Sequence, residues 1–172
     1  DEPAKVTPMK IEIKDEELLQ WRPRVRKFAP LQRDFIEAHV DMLMKLGVVR
    51  KSHSQWASPL LLVRKPDNSW RMCVDLRRVN SATKSVWWPL PKVVELVPYL
   101  AGANFFASFD ILRGYWQFPL EEDSCQYMAF LTHKGVYEFT RVVMGAKNSA
   151  SHFQQVMTEI FEDLVCHGVI VY

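Results

Sequence analysis

Two β-rich runs, each doubling back on a tight turn, set the terms of any fold for this chain. One is "LLLVRKPDNSWRMCVDL", pivoting on Pro66, Asp67 and Asn68; the other is "QYMAFLT" with "GVYEFTRVV", joined through His133, Lys134 and Gly135. Proline presets the backbone angle a turn needs, asparagine tolerates the left-handed region and glycine enters it freely, so both runs read as β-hairpins. Two helical stripes accompany them. "LQRDFIEAHVDMLMKLG" spaces Leu31, Phe35, Ile36, Val40, Leu43 and Leu46 at helical intervals and sets Gly47 where a C-terminal cap belongs. From Asn148 or Ser149, both N-cap residue types, Phe153, Val156, Met157, Ile160, Leu164 and Val165 form a second stripe that Gly168 closes. Hairpins and helices that mix without a regular βαβ alternation define an α+β fold.

The remaining segments connect these units. Residues 1–28 read as an extended arm, with an alternating "MKIEIK" able to supply an edge strand ahead of a basic linker. "VWWPLPKVVELVPYLAGA" reads as an extended entry followed by a short helix that stops before Gly102. "NFFASFD" reads as a buried strand ending in an acid, and "VIVY" as a strand that has barely begun. No repeat or low-complexity tract interrupts the pattern.

A chain of 172 residues with 48% hydrophobic and 24% charged side chains can bury a core and has a globular profile. Cys73, Cys125 and Cys166 lack the spacing of a disulfide framework or a zinc knuckle, which fits a reducing, intracellular setting. No apolar stretch approaches the roughly 20 residues that span a bilayer, and no secretory leader is evident, so no membrane partner is expected. The net charge of +2 is small, but Arg22 to Lys84 carries 14 Lys or Arg against 5 Asp or Glu, while from Ser85 onward the ratio is 5 to 9. A basic half joined to an acidic half suits a protein that grips phosphates in one place and holds metal ions in another; a solvated basic face has the same composition.

Asp110 is the acid of most chemical interest, because it follows an apolar run that can hold a carboxylate rigidly beside a cleft. The same position suits an N-cap for the next helix. Tyr115, five residues on, is near enough to floor a pocket beside the acid, although it and Trp116 also suit ordinary core. Arg64, Lys65 and Arg71 sit at and beside the first hairpin tip, where cations either neutralise a triphosphate or simply keep the surface soluble. A polymerase site needs both features: carboxylates for two Mg²⁺ ions about 3.5–4 Å apart, and cations on a nearby element. No phosphate-binding G-x-x-x-x-G-K-[ST] loop, G-x-S-x-G elbow or H-E-x-x-H helix is present, and the five histidines are scattered.

"GVVRKSHSQWASPLLLVRKPDNSWRMCVDLRRVN", "WPLPKV", "FDILRGYWQFPL", "MAFLTHKGVYEF" and "NSASHFQQVM" occur in that order. Together they resemble the reverse transcriptase of gypsy-type LTR retrotransposons, relatives of retroviruses, from about Pro30 to the C-terminus. The resemblance implies right-hand polymerase fingers and a partial palm. It divides the chain into an arm (1–28), fingers (29–84 and 119–151) and palm (85–118 and 152–172). It implies RNA-directed DNA polymerisation with Mg²⁺, a primed RNA or DNA template and dNTPs as partners, and a cytoplasmic particle or the nucleus as location.

Carried over by position, Asp110 matches the first catalytic, metal-binding aspartate, with Ile111 beside it in the nucleotide site. Tyr115 matches the aromatic gate that excludes a ribose 2′-hydroxyl by volume. Lys65 and Arg71 match the fingers cations that meet the β and γ phosphates, and Met144 and Gly145 line the nucleotide pocket. Asp75, Arg77 and Asn80 match a motif near the template that serves structure as well as contact.

Gln55, Leu76, Tyr127, Met128, Val143 and Ala150 depart from the family pattern, and the last two stand where many relatives carry prolines, which loosens the turn into Met144. In the family the strand "VIVY" continues into two further aspartates, followed by thumb, connection and ribonuclease H regions. The expectation is therefore that this polypeptide alone gives no primer extension above background. A non-catalytic, nucleic-acid-binding remnant of a retroelement is the alternative.

Overall fold

The computed structural model describes residues 2–14, 23–165 and 168–171. Expectations for Cys166, His167 and Tyr172, and for the part of the arm at 15–22, lie outside the described residues.

The first stripe forms α1 (Pro30–Lys45), with Pro30 opening it and the Gln32 side chain accepting from the Ala29 N–H at 2.9 Å. Its end follows from Gly47 at φ +68°: Gly47 N–H bonds to Met44 and Val48 N–H to Leu43, closing the last turn in a Schellman motif. Ile36, Val40 and Leu43 are buried, each contributing roughly 1.5–3 kcal/mol of transfer free energy before conformational entropy is counted. Leu31, at the stripe's outer end, is exposed.

The strands β1 (Val49–Lys51), β2 (Ser58–Arg64), β3 (Trp70–Val74), β4 (Ala129–Thr132) and β5 (Gly135–Phe139) form one sheet in the order β1-β5-β4-β2-β3. Both hairpins are antiparallel as expected, with Val63 opposite Arg71 and Phe130 opposite Tyr137. What joins them is a short parallel pair, Ser58 with Phe130 and Pro59 with Leu131, so strands more than 60 residues apart share one core. Phe130, fully buried, packs between Tyr137 and Phe139 at ring distances of 5.9 and 5.1 Å. Glu37 fastens α1 to the second hairpin by pairing with His133 at 2.7 Å and Lys134 at 2.6 Å.

Short helices link the sheet to the rest: α2 (Arg77–Ala82), α3 (Val93–Leu96) with a 3₁₀ turn at Val97–Leu100, α4 (Gly114–Gln117) and α5 (Glu122–Cys125). The arm contributes bridges rather than a full strand. Met9 N–H bonds to Pro119, Glu121 N–H to Met9 and Lys84 N–H to Glu12, which buries Met9 and Ile11 in the core.

Four local expectations need correction. The run Asn104–Asp110 is not a buried strand: Phe105 and Phe109 are 94% and 92% exposed, and no backbone hydrogen bond joins the run to any described residue. An apolar, β-prone sequence becomes a strand only where a neighbour accepts its backbone groups, and none of the described residues does so. The second stripe breaks into α6 (Ser149–Ile160) and α7 (Glu162–Val165), leaving Ile160 and Leu164 about half exposed. Asn148 stands at the N-cap position without a side-chain capping bond, since its amide is used elsewhere. Residues 169–171 form no strand, although the Val171 carbonyl accepts from Gln154 Nε2 at 3.0 Å.

Candidate nucleotide-polymerising site

Asp110 lies at the end of the open 104–110 run, exposed, and makes no hydrogen bond or ion pair with any described residue. It is not a helix cap. The N-cap position of α4 belongs to Arg113, whose left-handed backbone (φ 51°) turns the chain and whose guanidinium lies 5.5 Å from the Trp116 ring centre. The turn sets Tyr115, half-buried, edge-on to Phe153 of α6 at 5.3 Å. Gly114 permits this approach, because a Cβ there would stand 2.9 Å from the Phe153 ring. Ile111 packs from the loop against the core.

On the first hairpin, residues directly opposite share a face, so Val63 and Arg71 project to one side while Arg64 and Trp70 share the other, and Lys65 opens the turn beyond β2 with its N–H on the Ser69 carbonyl. Arg64 is spent over the Trp70 ring at 5.6 Å. His39 of α1 is held below its ordinary value chiefly by burial, then by the charges of Arg113 and Lys65. No contact joins Arg71 to Asp110.

Met144 and Gly145 occupy the exposed turn that leads into α6, with Gly145 at φ +92°. The Tyr115 turn and the Met144–Gly145 turn therefore lean on the first half of one helix. Asp75 and Arg77 form a closed, two-bond ion pair at 2.8 and 2.7 Å, which holds the Asp75 carboxyl below its usual range and leaves the exposed guanidinium already neutralised. Asn80 bonds to the Gly145 carbonyl and the Lys147 N–H. Sequence reasoning missed Phe153 as the support of Tyr115, because it reads locally as an ordinary helix residue.

Among the described residues no three His, Cys, Asp or Glu side chains converge to hold a metal ion. Asp110 is a single carboxylate, and alone it does not make a two-ion site. No helix among the described residues is long and apolar enough to cross a membrane.

The architecture, a mixed sheet of two hairpins flanked by helices with an open acid-bearing segment, is that of the fingers and part of the palm of a right-hand polymerase. It superimposes on the native protease–reverse transcriptase of prototype foamy virus with a TM-score of 0.80 and 25% identity, covering 99% of this chain and 22% of that one. The same viral enzyme in complex with RNA/DNA hybrid gives 0.79, again at 25% identity and with the same coverages. The model of the family described as reverse transcriptase (RNA-dependent DNA polymerase) matches residues 63–172, and the chain belongs to that family.

Among curated relatives, the Pol polyprotein of the Drosophila melanogaster transposon 412 is 34% identical over 147 residues, covering 82% of this chain and 12% of the polyprotein. That of the gypsy transposon of the same fly is 30% identical, covering 81% and 14%. The chain thus spans about an eighth of the length of the retroelement polyproteins it matches, and corresponds to a fragment of their reverse transcriptase.

Proposed function

We propose that this chain is the fingers and upper-palm portion of an RNA-directed DNA polymerase that transfers deoxynucleotides to a primer end. The observation that carries the reading is the free Asp110 carboxylate, exposed at the head of the α4 turn in a chain of this family. In this reading Asp110 is the catalytic acid and one ligand for Mg²⁺, with further carboxylates supplied from outside the described residues. Tyr115 gates the sugar, and its ring edge against Phe153 gives that gate a firm backing. Lys65, at the hairpin turn, and Arg71, on β3, meet the triphosphate, while Ile111, Met144 and Gly145 line the nucleotide pocket. Asp75, Arg77 and Asn80 shape the template side, and the arm, fingers and palm boundaries at 28, 84, 118 and 151 divide the labour.

A fluorescent deoxynucleotide, mant-dATP, tests this when titrated into the chain with a primed RNA template in Mg²⁺ buffer. dATP should displace it at least tenfold better than ATP, Tyr115→Ala should narrow that gap, and Arg71→Ala should weaken nucleotide binding tenfold without changing template affinity. Equal displacement by both nucleotides in the unaltered chain would defeat the reading. A second reading for this segment, nucleic-acid binding without turnover, rests on the basic stretch from Arg22 to Lys84. Salt-dependent template binding with no nucleotide binding and no incorporation is its signature.

A further inference from the structure

The turn into α6 is tied by five side-chain bonds to the stretch 80–86 and by one within itself. Asn80, in α2, donates from Nδ2 to the Gly145 carbonyl at 2.8 Å and accepts at Oδ1 from the Lys147 N–H at 2.9 Å. Asn148 repeats the arrangement in the opposite direction. Its Nδ2 donates to the Lys84 carbonyl at 2.8 Å and its Oδ1 accepts from the Val86 N–H at 3.1 Å. Lys147 Nζ adds a bond to the Thr83 carbonyl at 3.0 Å, and Ser149 Oγ closes the turn on the Val143 carbonyl at 2.7 Å.

A carboxamide carries a donor and an acceptor spaced like those of a peptide group. Each asparagine therefore stands in for one rung of a β-ladder between segments that α2 and α6 prevent from pairing as strands. The cost is plain: Asn148 is 4% exposed, so its amide must find both partners or lose stability. The feature presented by this framework is Met144, an apolar side chain 79% exposed, beside Gly145. A polar clamp, buried at Asn148 and half-buried at Asn80, that ends on an open apolar side chain positions a contact surface rather than filling a core.

We propose that Asn80 and Asn148 form a reciprocal clamp, and that these positioning residues set where the Met144–Gly145 turn stands, and with it the fit of the nucleotide. The second clause rests on the polymerase reading given above; the clamp itself does not.

Amide hydrogen exchange on the full chain separates the two. Asn80→Ala should speed exchange at Lys147 at least tenfold and raise it at Val86 too, and Asn148→Ala should do the converse, while β4 and β5 amides stay unchanged. Asn80→Asp is the gentler variant: it keeps the acceptor for Lys147 but sets an oxygen against the Gly145 carbonyl, and should loosen the turn without unfolding the chain. Ser81→Ala, which removes a hydroxyl that donates to the Arg78 carbonyl, should change neither amide. In parallel, both alanine variants and Asn80→Asp should bind mant-dATP at least tenfold more weakly, and Asn148→Ala should do so with template affinity within twofold. Unchanged Lys147 and Val86 exchange in all the asparagine variants would overturn the clamp. Faster exchange with undiminished mant-dATP binding would overturn the positioning role. An unaltered chain that binds no mant-dATP defeats the positioning role together with the polymerase reading, and leaves the clamp to be decided by exchange.

Discussion

Gly114→Ala puts a number on how closely the Tyr115 turn is seated. The added Cβ would meet Phe153 Cε2 at 2.9 Å and Cζ at 3.1 Å, with Ile111 Cγ2 at 3.5 Å. The ring is not free to swing aside, because Phe118 packs against it at 4.9 Å and Tyr115 at 5.3 Å. Overpacking of this kind costs about 1–3 kcal/mol. Gly114 has no positive φ and lies in a short helix, so alanine recovers roughly 0.5–1 kcal/mol of backbone entropy. The net expectation is about 0–2.5 kcal/mol of destabilisation, or up to roughly 10 °C in Tm for a domain of this size. Urea unfolding followed by tryptophan fluorescence measures it. Phe153→Leu supplies the internal control: in that background Gly114→Ala should be neutral or stabilising, a coupling of about 1 kcal/mol or more in a double-mutant cycle. If Gly114→Ala is stabilising with Phe153 intact, the packing argument is wrong, and with it the claim that α6 braces Tyr115.

Three further outcomes follow from the same structure. Arg50 joins Glu138 at 2.7 Å and Glu122 at 2.6 Å, and Glu138 is nearly buried, so Arg50→Ala should cost about 1–3 kcal/mol in denaturant unfolding, the partly exposed arginine keeping it below a fully buried pair. Glu122→Ala, removing the exposed partner, should cost under about 1 kcal/mol. His39 and His152 are both pushed below the ordinary 6.5, chiefly by burial, so just below that pH the unfolded chain binds more protons than the folded one. Their contribution is complete above about pH 6.5 and is lost as pH falls; His39→Gln with His152→Asn should flatten the decline in Tm between pH 6.5 and 5, and an unchanged slope would refute it. Phe105 and Phe109 together present an apolar surface on a run that pairs with no described residue, so Phe105→Lys with Phe109→Asp should lower self-association by light scattering while leaving Tm within about 2 °C.

Much of the architecture was legible from short windows of residues. The Pro66–Asn68 and His133–Gly135 turns, the Gly47 cap and the 3.6-residue spacing of Ile36, Val40 and Leu43 each depend on neighbours within one or two turns of chain, so local chemistry and periodicity determine them. The order of the five motifs likewise identified the family, and with it Asp110 as the acid to watch. Tertiary structure decided the rest, for a physical reason that recurs. Whether "NFFASFD" pairs depends on a strand elsewhere, and no described residue supplies one. Whether Asn148 caps its own helix or reaches Lys84 and Val86 depends on which backbone groups packing delivers to its amide from 62 and 64 residues away. The parallel contact of β2 with β4, the Glu37 tie to His133 and Lys134, and the seat of Tyr115 on Phe153 are of the same kind. Each is a choice among partners that are chemically equivalent in the sequence, made by the burial and close approach that only the folded chain provides.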